Sequence, residues 1–128
     1  MIKKIHCIYI FVNDIQESTE FYENILGLKA TLKEENWVEF KLNNCVLALY
    51  KNKGINKVNP NFLNFVFEVK DIEKEFFLLK SKGVIFCEEI KEHSFGKTAV
   101  IEDPNGHKIE LLQPLTKKER IETIVKES

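Results

Sequence analysis

VNDIQESTEFYENILG (residues 12–27) returns as VKDIEKEFFLLKSKG (69–83). Each copy starts on the last valine of an alternating apolar run, IHCIYIFV (5–12) or LNFVFEV (63–69). Two residues on stands an aspartate, Asp14 or Asp71, whose short acceptor side chain suits a helix N-cap. Glu17 and the Glu73–Glu75 stretch favour the positive end of a helix dipole. Phe21, Ile25 and Leu26 then make one apolar stripe; Phe76, Phe77 and Leu79 make another, with Lys80 outside. Gly27 and Gly83 tolerate positive φ and end the helical patterns predicted over 17–27 and 73–83.

Three strand-like runs follow each glycine. The first half has LKATLKE (28–34), WVEFKL (37–42) and CVLALYK (45–51), separated by turns at Glu35-Asn36 and Asn43-Asn44. The second has VIFCEEI (84–90), KTAVIE (97–102) and HKIELLQ (107–113), with turns at Ser94–Gly96 and Asp103–Gly106. Each half therefore reads as βαβββ, an α+β arrangement. The expected organisation is one domain over 1–128: module one 1–51, linker 52–61, module two 62–114 and a charged C-terminal helix 115–128. Gly54 and Pro60 break the linker. Ile121, Ile124 and Val125 give the last helix one apolar side, for the domain or a partner subunit.

The 128 residues suffice for one domain with a real core. A net charge of −1 and a pI near 6.3 argue against a nucleic-acid footprint or a polybasic membrane patch. No apolar run nears the roughly 20 residues of a membrane span. MIKKIHCIYIFVNDI carries two early lysines, but the apolar stretch is short, alternates like a strand and lacks a small-residue cleavage site. It is read as the first strand of a cytoplasmic protein. Cys7, Cys45 and Cys87 are odd in number and form no CxxC pair, so neither a disulfide framework nor a zinc ribbon is indicated.

The tandem repeat, the V-x-D-I helix starts, VNDIQESTEFYENILGLK and the ending DPNGHKIELLQ together resemble the vicinal oxygen chelate superfamily over about residues 5–114. That group holds glyoxalase I, fosfomycin-resistance enzymes, extradiol dioxygenases and metal-free bleomycin-resistance proteins. The resemblance implies two modules forming a partly open mixed β-barrel with helices outside, and a homodimer. In metal-type members four ligand positions lie on the cavity side. Carried over, they fall on Cys7, Ala48, Asn64 and Glu110. Alanine has no ligand atom and asparagine is a poor substitute for imidazole, so only Glu110 matches the metal-type pattern. His6 is one residue off, and strand alternation turns it away from Cys7 unless a bulge intervenes. His93 is placed in a loop that could reach over a cavity, and His107 beside the Asn105-Gly106 turn is expected to be exposed. An iron facial triad cannot be assembled.

Alternation assigns one sheet face to Cys7, Tyr9, Phe11, Trp37, Glu39, Lys41, Val46, Ala48 and Tyr50 in the first half. In the second it assigns Asn64, Val66, Glu68, Thr98, Val100, Glu102, Lys108, Glu110 and Leu112. Ile8, Ile10, Val12, Val38, Phe40, Leu47, Leu49, Phe65, Phe67, Ile109 and Leu111 take the helix side. Aromatic faces beside carboxylates suit a flat or cationic organic molecule; the same aromatic residues could equally fill a small barrel. The expected ligand set is Cys7, Tyr9, Phe11, Trp37, Glu39, Tyr50, Asn64, Glu68 and Glu110, with no cofactor. The alternative is a glyoxalase I-type lyase or isomerase in which Glu110, with Cys7 or His6, holds Ni, Zn, Mn or Fe and Glu110 serves as ligand or base. A third alternative is a regulatory or structural dimer with a vestigial cavity.

Overall fold

A computed structural model describes residue 1, residues 5–51 and residues 65–127, the side chains at 123, 124, 126 and 127 excepted. The linker expected over 52–61 lies outside the described residues. The chain divides into two compact units, one of residues 1–59 with 104–106, the other of 60–103 with 107–128.

In the first unit, β1 (Ile8–Val12) leads into α1 (Ile15–Glu20), and β2 (Ala30–Lys33), β3 (Trp37–Leu42) and β4 (Cys45–Lys51) follow. The sheet order is β1-β4-β3-β2. β1 runs parallel to β4, and the other pairs are antiparallel. The Asp14 carboxylate accepts the N–H groups of Gln16 and Glu17 at 3.0 and 3.1 Å, the N-cap its position predicts. The helix does not run on as α to Gly27. It widens into a π-helical turn at Phe21–Ile25, closed by Leu26 N–H to Phe21 O at 2.9 Å. The wider turn puts consecutive residues Phe21 and Tyr22 in the core, and the Tyr22 ring meets Phe40 at 5.9 Å. Tyr22, absent from the expected stripe, is fully buried. Ile10, Val12, Val38, Phe40, Leu47 and Leu49 complete this core on the side that alternation assigned them.

The turn Pro104–Gly106 groups with this unit although it lies in the second repeat of the sequence. The Asn105 amide oxygen accepts the Asn13 N–H at 2.9 Å, and its NH₂ donates to the Ser18 hydroxyl at 2.8 Å. Ser18 is fully buried in α1. The asparagine thus supplies a polar partner that the helix interior needs.

The second unit repeats the pattern: β5 (Phe65–Glu68), α2 (Ile72–Ser81), β6 (Ile85–His93), β7 (Gly96–Glu102) and β8 (Lys108–Pro114), in sheet order β5-β8-β7-β6 with β5 parallel to β8. Asp71 caps α2 through the Lys74 N–H, and the Gln113 side chain accepts the Ile72 N–H at 2.9 Å. The packed face of α2 carries Ile72 and Leu79, both buried, and half-buried Phe76 between them, spaced i, i+4, i+7, with Phe76 against Phe86 at 4.7 Å. Phe77 was expected in that stripe, yet it is 72% exposed. One residue past Phe76, it is turned about 100° off the packed side.

Two further expectations are corrected. β6 runs to His93 rather than ending at Ile90, because register shifts between Phe86 and Glu88 and between Glu88 and Lys91 let the strand bulge and stay paired to β7. His93 is therefore a strand residue opposite Gly96. His107 is 5% exposed. Its N–H donates to the Asp103 carboxylate at 2.8 Å while Asp103 N–H donates to its carbonyl, and this closed turn draws it inside. After Pro114, α3 spans Lys117–Glu127, with Ile121 and Val125 exposed. Among the described residues no helix is long and apolar enough to cross a membrane.

Candidate functional site

Strand pairing in the first unit lays out the face away from the helix in rows. Tyr9 is opposite Ala48, and Ala48 opposite Glu39; Phe11 is opposite Tyr50, and Tyr50 opposite Trp37. These are the side chains that alternation grouped, now in contact. Tyr9 lies 5.6 Å from Phe11, 5.7 Å from Trp37 and 6.1 Å from Tyr50 between ring centroids. Tyr50 lies 5.8 Å from both Phe11 and Trp37. Most pairs are steeply inclined, the edge-to-face geometry that ring quadrupoles favour.

β1 and β3 flank β4, so their backbones stand about 9.6 Å apart, two strand spacings. Tyr9 and Trp37 nonetheless approach to 5.7 Å. They approach each other across β4, where Ala48, opposite Tyr9, carries only a methyl and is 0% exposed. The cluster is open above: Tyr9 is 47% and Tyr50 42% exposed. The Trp37 indole N–H donates to the Glu39 carboxylate at 2.7 Å. Glu39 is half-buried, and among the described residues no cationic side chain is within ion-pair distance of it. Cys7 is half-buried just before β1, and His6 is exposed.

In the second unit the corresponding face carries Val66 opposite Glu110 and Glu110 opposite Val100, then Glu68 opposite Leu112 and Leu112 opposite Thr98. Glu110 is half-buried in the middle of β8, and Glu68 is exposed. Sequence reasoning missed what the bulges of β6 do here. They bring Lys91 opposite Thr98, and His93 Nε2 within 2.9 Å of the buried Thr98 hydroxyl, with the His93 ring stacked on Phe95 at 4.9 Å. The signal was present: nothing between Ile85 and His93 is a glycine or proline, so the strand pattern had no reason to stop at Ile90.

The donor chemistry tests whether a divalent ion suits this chain. Of the positions carried over from metal-type members, Ala48 offers only a buried methyl, Cys7 a thiol and Glu110 a carboxylate. Asn64 lies outside the described residues. Among the described residues no three His, Cys, Asp or Glu side chains converge. Such an ion wants several imidazole or carboxylate groups together, and the residues present do not fit it.

A FosX protein from Listeria monocytogenes, solved in complex with Mn(II) and sulfate ion, superposes with a TM-score of 0.76 at 18% identity, covering 97% of this chain and 99% of that one. A metallothiol transferase FosB of Lysinibacillus sphaericus is 27% identical over 114 residues, 85% of this chain and 81% of its own length. A probable chloroplastic lactoylglutathione lyase of Arabidopsis thaliana is 32% identical over 126 residues, 87% of this chain; the chain spans only 35% of that relative's length. The profile of the Glyoxalase/Bleomycin resistance protein/Dioxygenase superfamily matches residues 4–111. With the duplicated βαβββ units and the motifs that open and close them, this match makes the chain a member of the Glyoxalase/Bleomycin resistance protein/Dioxygenase superfamily.

Proposed function

We propose that this protein binds a small aromatic or cationic organic molecule on the aromatic face of its first sheet, without a metal. The observation that carries the reading is the contiguous cluster of Tyr9, Phe11, Trp37 and Tyr50, with two of its rings nearly half exposed and a carboxylate at its edge. A flat ligand entering between Tyr9 and Trp37 would part them from 5.7 Å to about 7 Å, twice a carbon–carbon contact of ~3.5 Å. Trp37 is the sole tryptophan, so its emission reports that movement. Titration with planar aromatic compounds should change Trp37 fluorescence saturably, and Tyr9→Ala should weaken the response several-fold. A flat titration with every such compound, or an unchanged affinity in Tyr9→Ala, would sink the proposal.

The second reading is a lyase or isomerase that uses a divalent metal with Glu110. It is supported by relatives named as a lactoylglutathione lyase and a metallothiol transferase, and by Glu110, a half-buried carboxylate within β8. Chelator-treated protein would be unfolded thermally with Ni²⁺, Zn²⁺, Mn²⁺ or Fe²⁺ in turn. An ion that binds only the native state raises the midpoint by mass action. The metal-free reading expects no rise. A rise that Glu110→Ala abolishes would replace it with the second reading.

A further inference from the structure

We propose that the aromatic face selects a planar organic cation over its neutral isostere, and that Glu39 is the residue that makes the distinction. The inference rests on the ligand-binding reading above and names its ligand class. Glu39 is held by a neutral donor: the Trp37 indole N–H fixes one carboxylate oxygen at 2.7 Å and leaves the negative charge uncancelled. Its cross-strand neighbours are Ala48 and Leu32, neither of them polar. Lys41, the next residue of β3 on that face, is exposed and stands one row on, opposite Val46.

Elsewhere on this chain carboxylates do find lysines: Glu23 with Lys33, Glu73 with Lys97, Glu88 with Lys91 and Glu89 with Lys80. Glu39 has no such partner among the described residues, and it is half-buried, where an anion is short of water. Beside it the Tyr9 and Trp37 rings offer electron-rich faces that attract cations and do nothing for anions. A ring carrying a positive charge answers both features. Its plane stacks on Tyr9 or Tyr50, and its charge meets the fixed carboxylate. A neutral ring of the same shape gains only the stacking. The indole hydrogen bond also holds the carboxylate in place before the ligand arrives, so little freedom is lost on binding.

The test is a titration of the full chain with 10-methylacridinium and with acridine, at mildly alkaline pH where acridine is uncharged, read by Trp37 emission and by calorimetry. The cation should bind about tenfold tighter or more, a difference of about 1.4 kcal/mol per tenfold. Added salt should weaken the cation alone. Glu39→Gln keeps an acceptor for the indole N–H and should bring the two affinities together. Glu20→Gln, which removes an exposed charge from α1, should leave the preference intact and serves as the net-charge control. Equal binding of both compounds to the wild type, or a preference that survives Glu39→Gln, would overturn the role of Glu39 and leave the aromatic site standing. Failure of both compounds to bind or to perturb Trp37 would overturn the inference and the ligand-binding reading together.

Discussion

Replacing Asn105 by alanine removes two hydrogen bonds that join residues 92 and 87 positions apart, to Asn13 N–H and to the Ser18 hydroxyl. The two losses are unequal. Asn13 is exposed, so water takes over its N–H at a cost of about 0.5 kcal/mol. Ser18 is fully buried, and its hydroxyl would lose this partner where water does not reach, at about 1–2 kcal/mol. Turning the hydroxyl back onto the Asp14 carbonyl is no remedy, since Ser18 Oγ accepts from the Asn105 NH₂ and a carbonyl has no proton to give in its place. The sum is about 2 kcal/mol. With an unfolding entropy of about 2.1 cal/mol/K per residue, a chain of 128 residues unfolding together would lose about 7 °C of midpoint. Urea unfolding followed by Trp37 emission measures this, because Trp37 belongs to the same compact unit as the turn. Ser18→Ala should cost less in the Asn105→Ala background than in the wild type, with a coupling of about 1 kcal/mol. A loss below about 0.5 kcal/mol, or strict additivity of the two changes, would refute the reasoning.

Three other predictions concern the second unit. Leu79→Ala should cost about 2–5 kcal/mol, while Phe77→Gln, at a position in solvent, should stay within about 0.5 kcal/mol; comparable losses in urea melts would contradict the packing of α2. The Glu73 carboxyl lies below the usual carboxylate range, chiefly because the Lys97 ammonium hydrogen-bonds it. The stabilisation this brings is present above that range and is lost as pH falls through the depressed value; Lys97→Ala should raise the Glu73 titration seen by NMR, and an unmoved titration would refute the pairing. The Cys87 thiol is pushed up by burial, then by the charge of Glu102. Glu102→Gln should increase its alkylation rate at mildly alkaline pH by raising the thiolate fraction, and an unchanged rate would show that the carboxylate does not act on it.

What local rules govern could be read directly from the chain. The two Val-x-Asp-Ile starts name the N-caps because an aspartate satisfies N–H groups within three residues of itself. Strict alternation sorted Ile10, Val12, Phe40 and Leu49 to the helix side and Tyr9, Trp37 and Tyr50 to the other, since a strand turns each side chain over at every residue. The duplication made βαβββ legible before any pairing was known. That Ala48 and Asn64 offer neither imidazole nor carboxylate was legible too, since residue type alone fixes it.

The rest depended on neighbours distant in sequence. The π-turn that buries Tyr22 is chosen by the fit of two consecutive aromatic rings into the core beside Phe40, which no helical period announces. The bulges that carry His93 to Thr98 arise from keeping a nine-residue strand paired with one of seven. His107 is buried because Asp103 folds back on it, and Asn105 meets Ser18 only because the turn packs on a helix 87 residues away. Above all, the sequence placed Trp37 and Glu39 on one face, but their hydrogen bond and the inward lean of Trp37 toward Tyr9 belong to the folded sheet. Periodicity specifies which side of a strand a residue occupies. Only tertiary packing decides which neighbour it touches there, and a binding site is made of those contacts.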